Sequence, residues 1–232
     1  MLIEDDGIVI SFREFQESFL LVKCLLAKHG VVAGLMRRRA FNAHIGNFVN
    51  VKWKARLQQQ LGTYTFDVYF DATCHLYLNP LKTALIASAI DMVSLILQEH
   101  EPHPCIYIVL KKLINSMSFE NRADFLQIYL EFEKQLLSSA GFGLDLGRCA
   151  VTGAVDNLAY ISPRSGRAVT KDVGSKYSNV LIPMPKPPSK LEDFLEWFEV
   201  LGAFLKQLFS FFNTEIPHSR RSLNFILSEL CK

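Results

Sequence analysis

The sequence predicts an α+β protein, a small five-stranded barrel followed by a helical domain, and three observations carry that prediction. Residues 7 to 73 contain short runs rich in β-branched and aromatic residues, separated by turn-prone breaks. After residue 78 the apolar residues recur at helical spacing instead. Between about 142 and 182 that spacing gives way to scattered glycines and short extended pieces. The expected division is residues 1–77 for the barrel and 78–232 for the helical domain, with a turn-rich insert at 142–182.

Strands are expected over 7–12, 19–26, 31–36, 48–57 and 63–70, with His29-Gly30 and Leu61-Gly62 among the breaks. Five strands are too few for a sandwich. They suit a closed barrel of the oligonucleotide-binding (OB) type, because closure hides the edges of a small sheet. The fourth run alternates Val49, Val51, Trp53, Ala55 and Leu57 with Asn50, Lys52, Lys54 and Arg56, the two-residue period of a half-buried strand. One face is expected to build the core and the other to be basic.

Asn79-Pro80 starts a helix, with Asn as N-cap and Pro at the first helical position; Leu81, Leu85, Ala89, Met92 and Ile96 then carry it to about residue 99. Further helices are expected over about 104–117 and 121–140, the second stopped by Gly141 in a left-handed cap. Pro183, Pro185, Pro187 and Pro188 form a stiff linker. Helices over about 189–213 and 217–230 follow it.

The 232 residues are half apolar, enough for two modest cores, and the formal net charge of +2 sets up no global field toward a polyanion. A nucleic-acid site must therefore be a local patch. The five cysteines are odd in number and widely spaced, as expected of free thiols in a reducing cytosol. The acidic N-terminus lacks the pattern of an export signal, and charges interrupt the apolar stretches 81–97 and 191–212 before they reach membrane-spanning length. A cytoplasmic protein without a membrane partner is expected.

The patch is expected at Arg37, Arg38 and Arg39, which follow the third strand, together with Lys52, Lys54 and Arg56 on the fourth. On a shared surface these six cations would contact successive phosphates, with affinity from counterion release. Phe41 and Trp53 add aromatic area, although the alternation turns Trp53 inward. The competing reading is a solvated face that confers solubility. At the C-terminus, Arg220 and Arg221 sit in the first turn of the last helix, where they oppose its dipole, ahead of an apolar stripe that includes Leu223. A pocket for an acidic peptide with an apolar end would explain them; so would packing of a terminal helix with incidental charges.

The motifs of acyl, phosphoryl and dinucleotide chemistry are absent from the sequence, so no enzyme and no cofactor is expected. Cys74-His75 imitates a nucleophile pair, but adjacent side chains point apart on an extended chain. Cys149-Ala-Val-Thr152-Gly153 has the form of a zinc knuckle missing its second cysteine; with one ligand where tetrahedral zinc needs four, a buried thiol and no metal is expected.

Several segments in colinear order resemble the RecO family of bacterial recombination mediators. They are Gly7-Ile-Val-Ile-Ser-Phe-Arg13, Lys28-His-Gly-Val-Val-Ala-Gly-Leu-Met-Arg37, the run from Phe132 through Gly141-Phe-Gly143 and Asp145 to Cys149 and Gly153, Tyr160-Ile-Ser162-Pro163-Arg-Ser-Gly166, and Ile216-Pro-His-Ser219-Arg220. The resemblance covers essentially the whole chain. It implies an N-terminal OB domain and a helical domain with a zinc-finger-like insert, here lacking the metal ligands because Thr152 and Thr170 stand at or near two ligand positions.

The resemblance also implies DNA repair and recombination: binding of single-stranded and duplex DNA, annealing of complementary strands, and cooperation with RecR to load RecA onto DNA coated by single-stranded-DNA-binding protein. The acidic C-terminal tail of that last protein would dock on the helical domain, with Lys134 and Lys206 joining Arg220, Arg221 and Leu223 around it. Glu131 replaces an arginine found in some members, a departure at the tail contacts. An adaptor whose barrel binds RNA or protein is the alternative, and an enzyme with an unrecognised site is a third.

Overall fold

The computed structural model describes residues 1–57, 60–73 and 79–230. Cys74 and His75, and the expected boundary at residues 77 and 78, lie outside the described residues. The chain forms two compact units, Met1–Glu120 with Pro217–Leu223 and Asn121–Ile216 with Asn224–Lys232.

In the first unit, β1 (Leu2–Phe15), β2 (Phe19–Leu26), β3 (Gly30–Arg37), β4 (Phe48–Lys54) and β5 (Gly62–Phe70) close a barrel in the order β1-β2-β3-β5-β4. The β3–β5 pair is parallel and the other pairs are antiparallel. This is the OB-type barrel expected from five strands. Alternate residues fill it, among them Val9, Val22, Val32, Val49, Val51, Tyr64 and Phe66.

Trp53 is completely buried, and its indole Nε1 donates to the Ala33 carbonyl at 2.9 Å. The indole occupies space that two glycines leave open. A Cβ on Gly62 would lie 2.3 Å from Trp53 Cε2, and one on Gly34 would lie 2.9 Å from Trp53 Cδ1. Gly34 and Gly62 face each other in the parallel pair, so barrel closure and the seat of the tryptophan are one feature.

Three strand boundaries differ from expectation by three residues or more, and one of them is the end of β1, which runs to Phe15 rather than stopping at residue 12. β1 starts at Leu2, five residues early, because Glu4, Asp5 and Asp6 pair with Lys52, Val51 and Asn50 of β4. The Asp5 carboxylate is held by the Lys28 N–H at 2.9 Å and by His29 Nδ1 at 2.8 Å. β4 stops at Lys54 rather than continuing to residue 57, and Leu57 is 59% exposed, so the inward alternation ends there.

Helices α1 (Pro80–Ile96) and α2 (Pro104–Ser116) belong to the same unit. Asn79 Oδ1 accepts from Leu81 N at 3.1 Å and Lys82 N at 3.2 Å, the cap its position announces.

The second unit is built on α3 (Arg122–Ser139) and α4 (Leu191–Phe211), which meet through aromatic contacts such as Tyr129 with Phe198, ring centroids 5.4 Å apart. Gly141, at φ +82°, ends α3 in the left-handed region as expected. The insert is a small four-stranded sheet of β6 (Asp145–Cys149), β7 (Leu158–Ile161), β8 (Arg167–Thr170) and β9 (Ile182–Pro183), ordered β6-β8-β7-β9. Helix α5 (His218–Glu229) contributes its residues up to Leu223 to the first unit and those from Asn224 to the second.

Candidate nucleic-acid interface

All six cations expected to meet nucleic acid are exposed, but they do not form one uniform face. Lys52 and Lys54 project outward from β4, as the alternation requires. Across the sheet, Lys52 stands between Glu4 of β1 and Thr65 of β5, and Asn50 stands between Asp6 and Asp67. Lys52 Nζ is 3.3 Å from Glu4 Oε1. The outer face of β4 is therefore mixed rather than basic, and it turns acidic toward Asp6 and Asp67. Arg56 lies past the end of β4, in a bend, so it does not share the strand's face.

Leu35, Thr63 and Lys54 align across β3, β5 and β4, and Arg37 follows Leu35 by two residues on the same outward side. The barrel thus places Arg37 and Lys54 on one stretch of surface. A 3₁₀ turn, Arg38–Ala40, then carries Arg38 and Arg39 to the end of the β1–β2 hairpin, where the Arg38 N–H donates to Ser18 O at 2.9 Å. Arg38 Nη2 is 2.9 Å from Glu14 Oε1. Arg37, Arg39, Lys54 and Arg56 pair with no carboxylate among the described residues.

Trp53, offered by the sequence as aromatic area, belongs wholly to the core. Phe41 is half-buried, and its ring lies 4.7 Å from that of Phe12, an exposed side chain the sequence reading passed over. The missed signal is an aromatic residue beside Arg13 in the half of β1 that runs past β4, where the barrel no longer encloses an inward side chain.

The residues expected to receive a peptide tail fall in both units. Lys134 of α3 is half-buried with Nζ 4.1 Å from the centre of the Trp197 ring, and burial lowers its ammonium pKa. Lys206 of α4 is exposed beside Phe142 and Phe211. Arg221 is exposed, whereas Arg220 is only 2% exposed and Leu223 is fully buried. A rim cation needs an open guanidinium and a pocket floor an open apolar surface, so the structure corrects the expectation for Arg220 and Leu223: both are interior side chains.

In the insert, Cys149 is buried at the end of β6. Its Sγ accepts from Thr170 N at 3.4 Å and lies 3.7 Å from Thr170 Oγ1. A hydrogen bond from the Thr152 side chain, with further ones from the backbone of Thr152, Thr170 and Val151, pulls the thiol down to about 6 against the effect of burial. The side chains of Thr152 and Thr170 thus lie against the sulfur. Among the described residues, no three His, Cys, Asp or Glu side chains gather to hold a metal, and no helix is long and apolar enough to cross a membrane.

A closed OB barrel with exposed arginines and lysines, joined to a helical unit that carries a small sheet, defines a two-unit protein with a nucleic-acid-binding type of barrel. Residues 78–214 match the family model described as Recombination protein O C terminal. The chain is 38% identical to the DNA repair protein RecO of Ehrlichia chaffeensis, over 79% of this chain and 76% of that one. It is 36% identical to the protein of the same name from Rhodospirillum centenum (93% and 90%) and 31% identical to that of Wolbachia pipientis wMel (97% and 98%). The chain belongs to the RecO family.

Proposed function

We propose that this chain is a DNA repair and homologous recombination mediator that binds single-stranded and duplex DNA, anneals complementary strands and, with RecR, helps load RecA onto DNA coated by single-stranded-DNA-binding protein. The reading is carried by the family match, which runs almost end to end with proteins named for DNA repair. The barrel supports it, since exposed cations on a small closed sheet are suited to a phosphate backbone.

The work proposed is binding and handing over, in the cytoplasm at the nucleoid, with no chemical step and no cofactor. The partner side of the reading has the acidic tail of single-stranded-DNA-binding protein docking on the helical unit. Exposed Lys206, next to Phe142 and Phe211, offers a cation beside apolar rings.

The test is fluorescence anisotropy of labelled oligo-dT across a salt series, then of a labelled peptide with the tail's sequence, together with an annealing assay on complementary strands. Binding of both ligands with accelerated annealing is the expected result. Binding of neither at low salt overturns the reading. Preference for an RNA oligonucleotide over DNA of the same sequence replaces it with the adaptor.

A further inference from the structure

We propose that Phe12, backed by Phe41, is a stacking platform for an unpaired base of single-stranded DNA. The inference rests on the mediator reading and adds to it the site that engages bases rather than phosphates.

β1 pairs with β4 only over Leu2–Ile8, whereas it pairs with β2 as far as Phe15. Its second half therefore extends past β4. There Phe12 sits opposite Val22, a core residue, so Phe12 points to the inward side of the sheet at a level where the barrel no longer surrounds it. It is 39% exposed.

The Phe12 ring is not loose. Its centroid lies 4.7 Å from that of Phe41, which lies 6.0 Å edge-on from core Phe66. The Phe41 N–H donates to Arg38 O at 3.3 Å, so the aromatic pair and the arginine turn are tied together. A groove of about 460 Å³ opens here, lined by Phe12, Phe41 and Leu20 with Arg13, Arg38 and Glu14. An anchored, partly exposed ring beside the arginine turn, in a groove lined also by Arg13 and by the Arg38–Glu14 pair, combines the two elements by which single strands are held without sequence preference: cations for the backbone and rings for the bases.

The probes are a labelled oligo-dT and an abasic oligonucleotide of the same length, which keeps the phosphates and removes the bases. The wild type binds oligo-dT more tightly than the abasic strand. Phe12→Ala is expected to weaken oligo-dT binding roughly five- to 150-fold, the range for loss of one stacked base, and to leave abasic affinity and the salt slope unchanged. Phe12→Trp restores binding, and a single 2-aminopurine in the strand loses its quenching only in the alanine variant.

Equal weakening on both strands, or no weakening on either, overturns the platform while leaving the mediator reading intact. A wild type that binds neither strand at low salt removes both. Because Phe12 is only 39% exposed and packs on Phe41, the alanine variant is expected to melt somewhat lower; the check that the loss is local is its unchanged affinity for the abasic strand and the recovery in Phe12→Trp.

Discussion

Replacing Arg37 and Arg39 together by alanine should halve the salt dependence of single-strand binding. Of the six cations, Arg38 is held by Glu14 and Lys52 by Glu4, which leaves Arg37, Arg39, Lys54 and Arg56 available to phosphates. Each neutralised phosphate contributes about −0.7 to the slope of log K against log salt for a single strand, so four give about −2.8. Between 50 and 200 mM salt the wild type should lose roughly 50-fold in affinity. The double variant keeps Lys54 and Arg56, with a slope of about −1.4 and a loss of roughly sevenfold over the same range. Leaving Arg38 in place keeps its pair with Glu14, so no new carboxylate is exposed. The assay is anisotropy of labelled oligo-dT at four or more salt concentrations. Lys176→Ala, an exposed cation of the second unit, serves as the control. A double variant with the wild-type slope, or a control that flattens it equally, refutes the assignment of phosphate contacts to the end of β3.

Three other predictions follow from the same geometry. Glu14→Gln releases Arg38 and should steepen the slope by about 0.7 while tightening binding at low salt; an unchanged slope would show that Arg38 meets no phosphate. Gly62→Ala drives a methyl group into the Trp53 indole and should cost about 1–3 kcal/mol in urea denaturation followed by circular dichroism. Trp53→Phe should recover part of that loss in a double-mutant cycle, and strict additivity would contradict the contact. The Cys149 thiol is depressed to about 6 from a reference value of 9.0, so its stabilisation is fully present above pH 9 and is lost as pH falls through about 6. The difference in urea midpoint between wild type and Cys149→Ala should therefore shrink from pH 9 to pH 6; a constant difference would count against a stabilised thiolate.

What could be read from the sequence was what is decided locally. Asn79 and Pro80 declare the start of α1, Gly141 declares the end of α3, and the alternation around Trp53 declares which side of β4 faces inward. Each depends on a few adjacent residues. The mixed charge of the β4 face was not legible, because it depends on the register that sets Glu4 beside Lys52 and Asp67 beside Asn50, and a pairing between distant strands leaves no local mark. The insert's strands run from two to five residues, too short to display a period, so a sheet appeared as scattered extended pieces. Arg220 shows the limit of helical pattern: position in the first turn of α5 does not reveal that the side chain is buried.

The uneven surface of the barrel bears on how a strand could lie on it. If Lys52 and Lys54 stood alone on a basic face, a backbone could cross β4 anywhere along its length. Glu4, Asp6 and Asp67 remove that freedom, since a phosphate near them meets like charge, and the Debye length of about 8 Å at physiological salt is long enough for rows one residue pair apart to be felt. The favourable ground is what remains: Lys54 and Arg37 on the β3-β5-β4 surface, the arginine turn, and the groove of Phe12 and Phe41. On the mediator reading, repulsion at one end of β4 and attraction at the end of β3 give the strand a preferred track without any base-specific hydrogen bond. A protein that must meet any exposed single strand needs such a track, one set by charge and ring faces and therefore indifferent to sequence.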